Sequence, residues 1–334
     1  MTDPIILYGS LILGFVVAIA IGANDETMTP AVGAGLLTLS LAVLLGGIFN
    51  LFGVFILGQS VSKTVGGKFA TFTLTLEMVF VILVSMAIWL FIVSIKGVPI
   101  STTQSVVGSV VGVVLLAPGG GLSGLNYETL FWVVMSWIIS PLLGLLGGFA
   151  FYLLIMKGRS RIKTKGYSDY ERQEKIASYA LAVFLLVSVF SRAGNDVAKA
   201  IGPLMAIEEF SADPFPALFA GGLGMCLGVI LIGRRVVKKL SSDVVALSPT
   251  SALSASISVS FIMFFGTLMG IPLSGSHILV AAFIGVGFVN KEKVDRDSLK
   301  EIGLSWVITT PVSAIFAALI YLPVLAFGIH IPTS

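Results

Sequence analysis

The sequence predicts an all-α polytopic membrane protein made of two five-segment repeats in inverted topology. Its composition is 56% apolar and only 11% charged, whereas an ordinary soluble domain carries about 25% charged residues. Mean hydropathy is +1.04, and uncharged stretches approach the roughly 20 residues that a helix needs to cross a bilayer. Two polar motifs also occur twice, once in each half. These observations exclude a soluble globule.

Ten apolar runs form two sets of five. We expect a first membrane repeat at 1–156, a basic connector at 157–175 and a second membrane repeat at 176–334. Gly-rich stretches at 144–148 and 221–228 indicate close helix packing. The runs are 5–21, 36–58, 76–95, 97–117 and 129–156, then 176–191, 215–233, 250–270, 271–289 and 302–329.

Three landmarks recur in the same order at nearly constant spacing. Asn24-Asp25 returns as Asn195-Asp196, 171 residues further along. The other two are a segment with proline and hydroxyl residues, and a tryptophan followed by a proline. They occur at 97–104 and 270–277, with an offset of 173, and at Trp137 and Trp306, with an offset of 169. Such ordered self-similarity predicts a duplicated chain.

Basic residues indicate how the chain crosses the membrane. The connector holds seven of the 20 Lys and Arg residues, so the positive-inside rule predicts that it is cytoplasmic, and we interpret it as a flexible solvated tether. The second repeat carries basic clusters at 234–239 and 290–300, whereas the first-repeat loop at 119–128 has no Lys or Arg. An odd number of crossings per repeat inverts the second repeat. We therefore expect a multi-pass plasma-membrane protein with both termini on the outer side of the membrane.

Cysteine and charge usage argue against several function classes. The single cysteine, Cys226, excludes an intrachain disulfide, and no Cys/His cluster has structural-metal spacing. The net charge of +3 resides between apolar segments, so it indicates orientation rather than nucleic-acid binding. Inverted repeats are typical of secondary transporters, which bind substrate near the membrane midplane.

An Asn-Asp pair follows the first apolar run of each repeat. A carboxylate at membrane depth costs at least about 2.5 kcal/mol, so Asp25 and Asp196 are predicted to be functional. Together with the neighbouring Asn residues they offer oxygen ligands for sodium. They could instead shuttle protons, or only cap helices. Glu26 has Val197 as its counterpart and is expected on a water-exposed face.

The second duplicated motif has a proline, then hydroxyl residues, then a Gly-spaced apolar run, as at the start of a helix. A helix N-terminus offers free N–H groups and about half a positive charge, so we expect it to bind an oxyanion. Helix capping is the alternative. The motif residues are Ser101, Thr102, Thr103, Gln104 and Ser105 in the first repeat and Ser274, Gly275, Ser276 and His277 in the second.

Buried acids and anion-favouring helix ends oppose each other electrostatically unless a cation lies between them. A bound sodium ion or proton would neutralise the acids and admit a multiply charged oxyanion, which predicts coupled transport. An anion channel is less favoured because polarity concentrates at four breaks. An enzyme is not expected, since no nucleophile and base can be assembled around the two histidines, His277 and His330.

Two basic residues flank the second Asn-Asp pair and have no counterpart in the first repeat. Arg192 and Lys199 could each bind the anion, Arg192 through its bidentate fork. We favour snorkelling or a salt bridge for both.

These motifs resemble the signatures of the PiT family of inorganic phosphate transporters, a duplicated Gly-Ala-Asn-Asp-Val-Ala-Asn-Ala-type element and a duplicated Pro-Val-Ser-Thr-Thr-His-type element. The resemblance covers both halves and implies a dimeric phosphate transporter in which two re-entrant hairpins bear the hydroxyl motifs. It implies phosphate binding by Asn24, Asp25, Asn195, Asp196 and both hydroxyl motifs, and sodium binding by Asn24, Asp25, Asn195, Asp196, Thr103 and Ser276.

Three departures from the family pattern concern the ligands. Glu26-Thr27-Met28-Thr29 stands where the family usually has Val-Ala-Asn-Ala, Gln104 replaces the usual His, and Gly275 stands where Thr is common. Because Gln104 does not titrate, we expect phosphate import coupled to sodium, with proton-coupled phosphate or sulfate transport as alternatives. No cofactor is expected besides the coupling ion. The expected partners are inorganic phosphate, sodium, the lipid bilayer and a second copy of the chain, without nucleic acid.

Overall fold

The computed structural model describes residues 4–65, 69–96, 100–161, 167–243, 248–290 and 296–327, and most of them are helical. Each predicted apolar run lies mainly in a helix. Two short 3-10 turns, Leu122–Gly124 and Pro203–Ala206, join longer elements. In the described ranges the α-helices are α1 Pro4–Ala23, α2 Thr29–Gly33, α3 Leu39–Val65, α4 Leu76–Lys96, α5 Thr102–Leu116, α6 Tyr127–Ser160, α7 Tyr167–Ile201, α8 Glu208–Ala212, α9 Phe215–Leu231, α10 Arg234–Asp243, α11 Pro249–Leu268, α12 Gly275–Asn290 and α13 Arg296–Ala326.

Helix lengths separate spanning helices from shorter ones. Within the described ranges, six helices are long and apolar enough to cross a membrane, and α9 with α10 forms a seventh candidate bent by 57°. The 15 residues of α5 extend about 22 Å, less than the roughly 30 Å hydrocarbon core. The 16 residues of α12 are similar. Such helices suit the short arm of a re-entrant hairpin. We call α4 with α5, and α11 with α12, the two hairpins, and the breaks between their helices the hairpin tips. The number of membrane crossings in each repeat stays odd whether a hairpin is counted as two crossings or as none, so the predicted inversion of the second repeat is unaffected.

Helix packing follows the predicted duplication. α1 packs on α9 while α3 packs on α7, and α5 packs on α13 while α12 packs on α6. Exchanging α1 with α7, α3 with α9, α5 with α12 and α6 with α13 converts each pair into its partner pair. This arrangement is the one that two repeats of the same design produce when their helices interlock. It brings the breaks before α5 and α12 into the interior.

Glycines let the interlocking helices touch through their backbones. A Cβ at Gly112 of α5 would lie 2.2 Å from the carbonyl oxygen of Ala314 in α13. In the matching pair, a Cβ at Gly148 of α6 would lie 2.3 Å from the carbonyl oxygen of Ala282 in α12. Because lipid gives helices no hydrophobic reason to associate, such close contact supplies much of the packing. The predicted role of 144–148 in close helix packing is confirmed within one chain.

The interpretation of the connector as a flexible tether is wrong for most of its length. Its first residues continue α6 to Ser160, and residues 167–175 belong to α7. Only 162–166 lie outside the described residues. Arg159 donates to Glu174 at 2.5 Å, and a Glu174 oxygen accepts from the backbone N–H of Thr250 at 3.0 Å. The charges thus fasten both helix ends to the start of α11 instead of only solvating the segment.

We expect Gly112→Ala to destabilise the protein by about 1–3 kcal/mol, because the new methyl group overpacks the contact between α5 and α13. Gly158→Ala on α6 is the matched control, since a Cβ there meets nothing within 4 Å. Thermal unfolding of the two purified variants in detergent measures the difference. Equal melting temperatures would show that the close contact does not matter.

Candidate functional site

Both hydroxyl motifs lie at buried N-terminal turns of short helices. Ser101 is the N-cap of α5, and its Oγ accepts from the backbone N–H of Gln104 at 3.3 Å. In contrast, Gln104 Oε1 and Ser274 Oγ are buried and have no hydrogen-bond partner among the described residues. Capping therefore accounts for Ser101 and leaves other polar atoms available. The buried motif residues are Ser101, Thr102, Thr103, Gln104, Ser105, Ser274, Gly275, Ser276 and His277.

The two Asn residues of the acidic motifs hold the breaks before these helices. Asn24 Nδ2 donates to the carbonyl of Ile100 at 2.8 Å, and the Ile100 N–H donates to Asn24 Oδ1 at 3.3 Å. Asn195 does the same in the second repeat, with the carbonyl of Ile271 at 2.8 Å and the N–H of Leu273 at 3.1 Å. Both ends of each amide thus bind backbone. The Asn residues position the hairpins, and their role as ligands stays a prediction.

The tips of the two hairpins exchange hydrogen bonds. Thr103 Oγ1 donates to the carbonyl of Leu273 at 2.9 Å, and Ser276 Oγ donates to the carbonyl of Ile100 at 3.1 Å. The two bonds are equivalent under the offset of 173 between the motifs. The two equivalent motifs, which are offset by 173 residues in sequence, therefore meet in the interior, as a single shared site requires.

Asp25 is held by neutral donors. Its Oδ1 accepts from the N–H of Thr27 at 2.9 Å and from Thr27 Oγ1 at 2.5 Å, and its Oδ2 accepts from Asn50 Nδ2 at 2.7 Å. Asn50 was missed in the sequence analysis. The signal was a single amide in the middle of the apolar run 36–58, where a polar side chain needs a buried partner.

Arg192 connects the acids of both repeats. Its guanidinium lies 3.7 Å from Asp25, 2.6 Å from Glu26 and 3.0 Å from Asp196. The ammonium of Lys199 pairs with the other oxygen of Asp196. Both basic side chains are almost fully buried, at 3% and 0% exposure. The expected salt bridges are confirmed, and snorkelling is excluded.

Glu26 lies elsewhere than expected. Its exposure is 0%, so the prediction of a water-exposed face was wrong. Arg192 of the other repeat provides the partner that makes burial tolerable. The offset between the two repeats could not predict this pairing, because Glu26 and Arg192 do not occupy equivalent positions in the repeats.

Gly275 makes room for the guanidinium. A Cβ at Gly275 would lie 2.6 Å from Arg192 Cζ, and Arg192 Nη2 lies 3.5 Å from Ser276 Oγ. A threonine at position 275 would therefore collide with Arg192. The absence of a side chain at Gly275 thus lets the Arg192 guanidinium lie against the first turn of α12.

His277 packs in the same region against an aromatic ring. Its imidazole centroid lies 3.9 Å from that of Trp306, with the planes inclined by 36°. The histidine is 3% exposed. This contact packs the imidazole in the interior.

The described cluster carries one more acid than base. Asp25, Glu26 and Asp196 supply three carboxylates, and Arg192 and Lys199 supply two cations. Its formal charge is therefore −1 when every group is ionised. Buried charges are tolerated only when they are closely paired, so the cluster can accept one monovalent cation without becoming positive.

Comparison with known proteins shows what the chain is similar to. Residues 21–317 match the model of the "Phosphate transporter family". The protein named "Putative phosphate permease" of Pyrococcus furiosus is 28% identical, and the match covers 96% of each chain. The "Inorganic phosphate transporter 2-1, chloroplastic" of Arabidopsis thaliana is 26% identical over 98% of this chain and 74% of its own length.

A solved structure has the same overall fold. The protein described as "The sodium-dependent phosphate transporter" superposes with a TM-score of 0.88 and 26% identity, covering 96% of this chain and 99% of that one. The all-helical polytopic membrane fold predicted from the sequence is thereby confirmed.

We expect each Asn to control one hairpin only. Asn24→Ala removes two hydrogen bonds worth about 1 kcal/mol each, so amides at 100–105 should exchange at least about tenfold faster while those at 271–277 change little. Asn195→Ala should give the reverse pattern. Hydrogen-deuterium exchange followed by mass spectrometry measures both segments in one experiment, and loosening of both hairpins by either variant would contradict the assignment.

Proposed function

The chain belongs to the phosphate transporter family, as its motifs indicated, and from this premise we propose that it imports inorganic phosphate together with a cation, sodium being the expected ion. The family is one of transporters rather than enzymes. Six helices with the length and apolarity of spans make the chain a multi-pass membrane protein. The sodium expectation is supported by the similar solved structure, which is described as a sodium-dependent phosphate transporter.

The convergence of the two hairpin tips on the acid-base cluster carries this proposal. Ser276 is bonded to the Ile100 carbonyl of the opposite hairpin and lies within reach of Arg192. One small volume thus collects hydroxyl donors, two helix N-termini and a guanidinium. Helix N-termini are suited to tetrahedral oxyanions, and a guanidinium matches their oxygens in pairs.

Phosphate would be bound by turning these donors from each other to the anion. The hydroxyls of Thr103 and Ser276 now donate to backbone carbonyls. Arg192 Nη1 is buried and has no hydrogen-bond partner among the described residues. A buried donor without an acceptor is costly, so a phosphate oxygen at this position would remove that cost.

The cation would be needed because of the cluster's charge of −1. A phosphate anion approaching a negative buried cluster is repelled, whereas one bound cation makes the cluster neutral. We assign this cation to Asp25, whose oxygens accept from the neutral donors of Thr27 and Asn50. The nearer Asp25 oxygen lies 3.7 Å from the guanidinium. The affinities of cation and phosphate are then linked reciprocally.

A proton is the second candidate coupling ion, and Glu26 favours it. This carboxylate is completely buried and shares Arg192 with two other acids. Protonating Glu26 would neutralise the cluster without any new ligand and would free one side of Arg192 for phosphate.

Membrane orientation and assembly belong to the same proposal. We propose a homodimer in the plasma membrane, with the connector cytoplasmic and both termini outside. Exposed Arg234, Arg235 and Lys238 on α10 support this orientation, because basic residues at membrane edges favour the cytoplasmic side.

Uptake into proteoliposomes tests the function. We expect labelled phosphate to accumulate above equilibrium only when a cation gradient is imposed, and a matrix of sodium against pH identifies the ion. Dissipation along the phosphate gradient alone would indicate a channel, and a preference for sulfate would indicate the wrong anion.

We expect Asp25→Asn to weaken cation dependence about tenfold or more and, through linkage, to weaken phosphate affinity. The measurement is phosphate uptake as a function of cation concentration. Asp169→Asn in the first turn of α7 serves as a control outside the cluster. An unchanged cation dependence would remove Asp25 from the ion site.

Thr103→Ala and Ser276→Ala should each weaken phosphate binding about tenfold, the value of a hydrogen bond to a charged group. Cation affinity in the absence of phosphate should change less. Ser109→Ala, a buried serine further along α5, is the matched control. Wild-type phosphate affinity by calorimetry would exclude the two hydroxyls from the site.

A further inference from the structure

The two Asn-Asp motifs are equivalent in sequence but differ in the cations beside them. Lys199 stands 171 residues after Met28, and these two positions follow their aspartates by three residues. Met28 packs in an apolar cluster with Ala42 and Val189. Lys199 instead places an ammonium on the second aspartate.

The ammonium of Lys199 is bound in the way a mobile cation would be. Its exposure is 0%. Its Nζ contacts an Asp196 oxygen and donates to the carbonyl of Leu273 at 3.0 Å. The Thr103 hydroxyl donates to the same carbonyl at 2.9 Å. Lys199 Nζ therefore contacts two oxygens of the second repeat, one of them on Asp196, a residue expected to bind sodium.

Each oxygen of the second aspartate already faces a fixed cation. One oxygen of Asp196 pairs with Lys199, and the other accepts from Arg192 Nε at 3.0 Å. A further unit charge at about 4 Å from an ammonium, at an effective dielectric constant of about 20, would be bound roughly a thousandfold more weakly. The predicted sodium site at Asp196 thus does not fit the residues around it.

The first motif keeps polar oxygens without partners. Asn50 donates to Asp25 through Nδ2 at 2.7 Å, while its Oδ1 is buried and has no hydrogen-bond partner among the described residues. The Thr29 hydroxyl is likewise buried and has no hydrogen-bond partner among the described residues. Buried polar atoms of this kind point to a missing partner. A monovalent cation beside Asp25 would be such a partner.

We infer that Lys199 permanently takes the place of a mobile cation at the second motif, so that transport uses a single coupling cation, bound at the first. This inference rests on the proposed function and deepens it, because it sets the number of cations carried with each phosphate. The duplicated fold would otherwise offer one cation site per repeat. A tethered ammonium neutralises the second aspartate in every state of the cycle.

The test counts coupling cations in the wild type and in Lys199→Met, which gives the second motif the residue of the first. The reversal potential of phosphate transport in proteoliposomes yields the number of cations per phosphate, using whichever cation the uptake matrix identifies. We expect one in the wild type and two in Lys199→Met, with the Hill coefficient for the cation rising from about 1 toward 2. Lys238→Met, an exposed lysine on α10, is the control and should keep the value of one.

Two cations per phosphate in the wild type would overturn the inference, as would an unchanged count in a folded Lys199→Met protein. Should Lys199→Met fail to fold, the wild-type count decides, and Lys199→Arg, which keeps the fixed charge, should also give one. Failure of the proposed function is distinguishable, because a wild type that accumulates no phosphate fails before any count is made. In that case equilibrium dialysis of purified protein with radioactive sodium still applies, and more than one bound sodium per chain would reject the inference.

Discussion

A membrane interior tolerates charged side chains only when other charges compensate them, and Arg192 provides most of that compensation. Its guanidinium contacts acids from both repeats, at Asp25, Glu26 and Asp196. Without it, three carboxylates would be buried around a single ammonium. The positions of Glu26, Gly275 and the first turn of α12 follow from this one side chain. The proposed phosphate chemistry depends on the same side chain, because Arg192 adjoins the hydroxyl of Ser276.

The site combines a symmetric scaffold with an asymmetric set of charges. The duplication supplies paired features, since an Asn holds each hairpin break and each tip donates a hydroxyl to the opposite hairpin. Glu26, Arg192 and Lys199 occur once each and remove the symmetry. Duplication of one sequence produces two similar sites, and single substitutions then give each site a different charge.

Sequence reasoning reached the fold and the main motifs because both depend on local patterns. Apolar runs identify membrane helices, and the repeated Asn-Asp and Ser/Thr motifs required no knowledge of distant contacts. It failed where a non-equivalent partner decides the outcome. Glu26 was expected in water, yet a residue 166 positions away, at 192, keeps it buried. Asn50 was overlooked because its partner Asp25 is distant in sequence, in the break after α1. The connector was read as a tether because its charges do not reveal that Glu174 binds the start of α11.

A structure of the protein with phosphate and the coupling cation bound would show whether the hairpin tips and the acid-base cluster form one anion site. We expect phosphate density between Thr103 and Ser276, within hydrogen-bond distance of Arg192, with both hydroxyls turned away from the carbonyls they now contact. Phosphate bound elsewhere, while Arg192 stays closed on its three acids and the hydroxyls keep their present bonds, would contradict it.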